Sequence, residues 1–189
     1  MAESQPMILT IGHSTRTLEE LIALLRAHGV TQLVDVRAIP RSRRHPQFNR
    51  ETLPLALAGA GIGYTHLAAL GGRRRPRPDS PNSGWRNTSF RGYADHMQTP
   101  QFAAALAQLI HLARQERCAI MCAEAVPWRC HRWLIADALA ARGCRVEHVL
   151  SLQQRRPHTI TPWARVRGAA ISYAAPLLPN ADDPASLSD

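Results

Sequence analysis

Met7-Ile-Leu-Thr-Ile-Gly12, the run Thr17 to Gly29, and Gln32-Leu-Val-Asp-Val-Arg37 decide the fold. The first and third are short, apolar and rich in branched residues, as buried strands are. Between them Thr17 and Glu20 have the spacing of a capping box, in which each side chain satisfies the other's free backbone N–H. Leu18, Leu21, Ile22 and Leu25 then recur at helical spacing, and Gly29 can end the helix in the left-handed conformation. A strand, a helix and a strand within about 30 residues form a βαβ unit, whose strands lie parallel in one sheet.

The pattern continues outward. A helix from Arg50 to Ala60 tolerates Pro54 only near its first turn, and a strand follows at Ile62 to Leu67. Thr99 caps and Pro100 starts a helix whose Phe102, Leu106, Leu109, Ile110 and Ala113 share a face. Arg117 to Cys122 reads as a strand, Cys130 to Arg142 as a helix closed by Gly143, and Arg145 to Leu150 as a final parallel strand. The fold expected is α/β, a three-layer sandwich with a mainly parallel sheet, one domain over residues 7–151. Ala68 to Gln98 lacks periodicity and far exceeds the ~2 to 6 residues usual in an α/β connection. Trp85, Phe90, Tyr93 and Met97 give it apolar anchors, so residues 68–98 read as a loop or lid insertion. Residues 152–189 form a C-terminal extension, and the Pro, Ala, Ser and Asp of its last dozen residues point to a mobile end.

With 189 residues, 45% of them apolar, the chain can bury one core, and disorder throughout is excluded. No apolar run reaches the ~20 residues that span a bilayer. Met1 to Gly12 lacks the regions of a secretory signal, so a cytoplasmic protein without a membrane partner is expected. Cys118, Cys122, Cys130 and Cys144 then read as thiols or ligands, with Cys118 and Cys144 structural. The net charge is +9 and every basic residue is Arg, a choice over Lys that a GC-rich genome explains better than selection for phosphate. Residues 37–50 carry +5 and residues 71–91 another +5, which leaves the rest at −1. Two loops hold the whole excess, and this argues for an anionic partner at one place.

Residues just past the ends of parallel strands converge on one edge, the usual ligand edge of open α/β sheets. There the strands deliver His13 and Ser14; Asp35, Arg37 and Ser42; Gly72 and Arg73; and Cys122, Glu124, Trp128, Arg129, Cys130, His131 and Arg132. Cys130 is the best reactive thiol, since a helix start and Arg129 and Arg132 favour its thiolate. Cys122 reads as a small buried hydrophobe or a second thiol. Glu124, His13 and His131 are candidate proton carriers. Asp35 beside Arg37 is either half of an ion pair or an acid/base group. Ser14 or Thr15 can cap a helix, with His13 bonding a loop, as readily as form a nucleophile and base.

Two other chemistries fit less well. Cys122, Cys130 and His131, with His13 or His66, could ligate zinc, but adjacent Cys130 and His131 are expected to project apart and no Cys-x-x-Cys occurs; neither metal nor cofactor is expected. The order strand, Cys122, loop, Arg129, helix is similar to rhodanese-like and low-molecular-weight phosphatase loops. Residues 123–131 hold no Gly, however, whereas a tight ring of N–H groups usually needs a positive φ.

Ile11-Gly-His-Ser14, Val34-Asp-Val-Arg37 with Pro40, Ser42, Phe48 and Asn49, Leu70-Gly-Gly72, Arg91-Gly-Tyr93 with Met97, Cys122-Ala-Glu124, and Cys130-His-Arg132 with Ile135 occur in order. Together they resemble the bacterial and archaeal family called domain of unknown function 488, over about Ile8 to Leu150. The resemblance implies an α/β domain with these motifs clustered, a site rather than a reaction, and brings Arg91 and Tyr93 into the substrate-binding set. The Arg-heavy segment 73–86 and the tail after Ser151 depart from it.

Three functions follow. The favoured one is a small enzyme on a phosphorylated or nucleic-acid-derived anion, held by Arg37, Arg73, Arg129 and Arg132, with Cys130, Glu124, His13 or His131 doing covalent or proton-transfer work. The second is a non-catalytic nucleic-acid-binding module, with Trp85 and Phe90 stacking bases. The third is a thiol redox or metal-binding protein using Cys122 and Cys130.

Overall fold

Parallel pairing around β1 (Met7–Gly12) organises the molecule, whose computed structural model describes residues 5–175. β1 lies between β4 (Cys118–Cys122) and β5 (Arg145–Val149), while β2 (Gln32–Asp35) pairs with β4 and β3 (Gly63–His66) with β2, all parallel. β6 (Arg155–Pro157) adds antiparallel to β5, giving the order β3-β2-β4-β1-β5-β6. The central strands β1 and β4 are apolar on both faces, as the middle of a covered parallel sheet requires. Leu9, Ile11, Leu33, Ala119 and Met121 pack on one side with α1 (Leu18–Ala27) and α2 (Leu53–Gly59). Ile8, Val34, Ile120 and Cys122 pack on the other with α3 (Thr88–His96), α4 (Pro100–Gln115) and α5 (Arg132–Ala140). The molecule is thus a three-layer α/β sandwich.

Strand order fixes the functional edge. From β1 the chain runs through α1 on one face and steps over β4 to β2; from β4 it runs through α5 on the other face and steps over β1 to β5. Neighbouring strands whose connections leave in opposite directions open a crevice at their carboxyl ends. There the chains stay in register past the strands: His13 N–H donates to the Cys122 carbonyl and Ser14 N–H to that of Ala123, each at 3.0 Å. Gly12 is required at this approach, because a Cβ there would strike the Glu124 backbone.

The structure differs most from the sequence reading in two stretches. Residues 68–98 contain α3, which periodicity missed because its buried face carries Asp95 and His96 beside Tyr93 and Ala94. Asn87 caps it, its side chain accepting from the N–H groups of Ser89 and Phe90. Buried Asp95 accepts from Ser80, Asn82 and the Arg77 N–H, tying the preceding loop to the helix. In the C-terminal extension β6 widens the sheet, and β7 (Arg165–Arg167) and β8 (Ala170–Ser172) form a hairpin followed by buried Tyr173. These strands are three residues each, too short to show a period. The mobile end expected of the last dozen residues lies outside the described residues. No helix among the described residues is long and apolar enough to cross a membrane.

Candidate functional site

At the carboxyl edge a cavity of ≈ 770 Å³ collects most of the expected residues. Its walls take His13 and Ser14 from the end of β1, Arg37 and Ser42 from beyond β2, Gly72 and Arg73 from the loop after β3, and Tyr93 from α3. Its floor is the segment after β4, with Cys122, Glu124, Arg129, Cys130 and His131. Four expected residues do not line it. Asp35 sits behind Arg37 and Arg132 beneath the sulfurs; Arg91 donates to the Trp85 carbonyl, and Trp128 stands 52% exposed. Arg41, His45, Asn87 and Phe90 line the cavity without having been singled out as its residues, although Arg41 belongs to one of the two charged loops. Both Arg-rich loops therefore reach the same hollow as the thiols. Ser14 (φ 48°) and Arg73 (φ 62°), the non-glycine residues with positive φ among those described, both lie on its wall. Left-handed backbone at non-glycine residues costs about 1–3 kcal/mol and concentrates at ligand sites.

The two sulfurs are in contact, Cys122 Sγ lying 2.7 Å from Cys130 Sγ. His131 Nε2–H donates to the Val36 carbonyl at 2.8 Å, which leaves Nδ1 facing Cys130 Sγ at 3.5 Å. The Arg132 backbone N–H also points at Cys130 Sγ, at 3.5 Å. Burial works to raise the Cys130 thiol, but hydrogen bonds from Cys122 and His131 and the charges of His131 and Arg132 outweigh it, and its pKa falls well below that of an ordinary thiol. Cys122 moves the opposite way, driven up by burial and by its bond to Cys130. Thiolate character thus belongs to Cys130, with Cys122 as its donor. Adjacent Cys130 and His131 were expected to project apart. They do not, because Cys130 is extended (φ −134°, ψ 150°) and His131 already helical (φ −56°, ψ −17°), so α5 starts two residues later than the sequence pattern suggests.

Arg132 lies under both sulfurs, 1% exposed. Nε donates to Cys122 Sγ at 2.9 Å, Nη2 to the Glu124 carbonyl at 2.5 Å and Nη1 to Thr10 at 3.4 Å; among the described residues no carboxylate pairs with it. From Thr10 the chain of hydrogen bonds runs through His148 (2.8 Å) and His158 (3.1 Å) to buried Asp137 (2.8 Å). Asp137 only accepts, so with both imidazoles neutral every bond in the chain donates toward it. Burial above all, with the Arg132 guanidinium adding to it, lowers the His148 pKa to about 3, which keeps it neutral.

His13 and Asp35 are already engaged. The His13 Nδ1–H donates to the Ser14 carbonyl at 3.0 Å, Nε2 accepts from Arg37 at 3.3 Å, and the ring stacks on Phe48. Burial, against the Ser14 bond and aided by Arg37, lowers its pKa to about 4. Asp35, fully buried, accepts from Arg37 Nη2 at 2.6 Å and from Tyr64 at 2.8 Å. The pair holds Arg37 against the Phe48 carbonyl.

The segment from Glu124 to Cys130 makes no phosphatase-type cradle. No residue of 123–131 has positive φ, and the N–H groups of Glu124, Val126, Arg129 and Cys130 are bonded within the segment or to Cys122 Sγ. An anion here would be held by guanidinium side chains. No cluster of His, Cys, Asp and Glu suited to a metal ion occurs among the described residues. The family model described as Domain of unknown function DUF488 matches residues 17–139, which include every cavity residue from β2 to α5. Neither a curated protein nor a solved structure matches the chain.

Proposed function

The chain belongs to the family of domain of unknown function DUF488, and from that premise we propose that it is a cytoplasmic enzyme whose Cys130 thiolate attacks a phosphorylated or nucleic-acid-derived anionic substrate. One observation carries this reading: a sulfur receiving three donors, from Cys122, His131 and Arg132, opens onto a cavity walled by Arg41, Arg73 and Arg129. A buried thiolate is costly unless hydrogen-bonded, and donors gathered on one sulfur offset that cost. In the reaction the arginines hold the anion, Cys130 supplies the electron pair, and His131 Nδ1 holds the proton that the thiol gives up. Glu124, exposed at the rim, exchanges protons with the leaving group.

The binding-module reading is weaker, because Trp85, one of its two stacking residues, packs against Phe90, Trp163 and Tyr173 and does not line the cavity. The test is a turnover assay on a panel of phosphorylated and nucleotide compounds. Cys130→Ser is expected to abolish a turnover that the wild type shows while keeping its circular dichroism; turnover that survives this substitution overturns the proposal.

A further inference from the structure

Cys122 lies where a second reacting thiol would lie. Its sulfur touches Cys130 Sγ and borders the same cavity, yet the reaction proposed above needs it only as a hydrogen-bond donor. Two N–H groups point at it: Arg132 Nε at 2.9 Å and the Glu124 backbone N–H at 3.3 Å. A cysteine that merely fills space needs neither. Cys130 has its own pair, His131 Nδ1 and the Arg132 N–H. Each sulfur therefore has a separate set of donors, and negative charge can rest on either one. Arg132 serves both, by its backbone and its side chain.

We propose that Cys122 and Cys130 form a reversible redox couple: a small hydroperoxide oxidises Cys130, and Cys122 resolves it into a disulfide that switches the nucleophile off. The inference rests on Cys130 being the thiolate of the site. In the first step the Cys130 thiolate attacks one peroxide oxygen. An S–O bond forms and the O–O bond breaks; the sulfur is oxidised to sulfenic acid and the peroxide reduced to hydroxide or alkoxide, which takes up a proton. Cys122 then passes from thiol to thiolate, steadied by Arg132 and Glu124, and attacks the Cys130 sulfur. The S–S bond forms, the S–O bond breaks, and the departing hydroxide leaves as water with the proton of Cys122. A dithiol reductant returns both thiols by exchange. Cytosolic disulfides are typically transient devices of this kind.

The test treats the full chain with hydrogen peroxide, then alkylates the remaining thiols and maps them by mass spectrometry. Wild type is expected to yield a Cys122–Cys130 disulfide with Cys118 and Cys144 still alkylated, and a dithiol should reverse it. Cys122→Ser and Cys122→Ala are expected to stop at Cys130 sulfenic acid, trapped by dimedone. Wild-type protein that oxidises Cys130 to sulfinic acid while Cys122 stays free overturns the couple. So does a disulfide to Cys118 or Cys144 in its place. The enzymatic reading fails separately: if Cys130→Ser leaves turnover intact, that reading is lost, whereas disulfide formation is read without any substrate.

Discussion

Arg132 Nε donates to the Cys122 sulfur at 2.9 Å, and among the described residues no carboxylate shares that guanidinium. A cation this deeply buried is stabilised by what it can reach: the thiol pair, the Glu124 carbonyl, and through Thr10, His148 and His158 the remote charge of Asp137. Arginine suits the position because its planar guanidinium donates from three separate nitrogens, whereas a lysine ammonium donates from one. Arg132→Met should leave those acceptors unpaired, at about 1–3 kcal/mol of stability for a buried group. It should also raise the pH at which Cys130 becomes reactive, with Arg132→Lys recovering part of that midpoint shift. A midpoint unchanged in Arg132→Met would mean that Arg132 is only structural; alkylation rate against pH decides.

Gly72 offers a finer test of the thiol–imidazole contact. A Cβ there would lie 3.0 Å from His131 Nδ1, the atom that faces Cys130. The backbone of Gly72 is not left-handed, so alanine is not excluded by conformation. Gly72→Ala is expected to push the ring from the sulfur, slowing Cys130 alkylation at neutral pH with little change in the urea midpoint. Unchanged reactivity would show that His131 contributes nothing to the thiolate.

Acid should loosen the fold through its neutral histidines. Burial above all lowers His13 to about 4 and His148 to about 3, from 6.5 in each case. Above pH 6.5 both folded and unfolded forms are neutral and stability is level with respect to these groups. As pH falls below 6.5 the unfolded chain takes up protons that the folded chain refuses, so stability is lost down to about pH 4 for His13 and about pH 3 for His148. Each contributes a slope approaching about 1.4 kcal/mol per pH unit within its window. Urea unfolding at a series of pH values between 7 and 4 checks this, and a flat profile refutes it.

The arginine walls set the anion dependence. Inorganic phosphate is expected to slow alkylation of Cys130 in wild type, and Arg73→Ala and Arg129→Ala should each weaken that protection. For a single-stranded oligonucleotide, each lost contact should also reduce the log–log salt slope by about 0.7. Protection that is insensitive to both arginines would place the anion elsewhere.

The sequence made the sheet legible because β1 and β4 are nearly continuous apolar runs and β2 and β5 short branched ones, each separated from the next by a periodic helix. It made the edge legible too, since parallel strands deliver their following residues to one side. α3 stayed hidden because Asp95 and His96 break its apolar face, and β6 to β8 because three-residue strands carry no period. In the site, residue types pointed to Cys130 and the arginines. They also offered the Asp35–Arg37 ion pair, but could not show that Arg132 turns under the sulfurs or that a bend at Cys130 brings His131 Nδ1 to its neighbour. Those facts depend on the strand order and on where α5 begins. The His148–His158–Asp137 chain had no local signal, since its members stand on β5, beyond β6 and on α5.

Site-resolved alkylation of Cys130 as a function of pH, with and without inorganic phosphate, tests the central claim most directly. The expected result is a midpoint well below the ~8.5 of a free cysteine, with the rate falling as phosphate fills the cavity. A Cys130 that titrates at or above the free value, indifferent to phosphate, would contradict it.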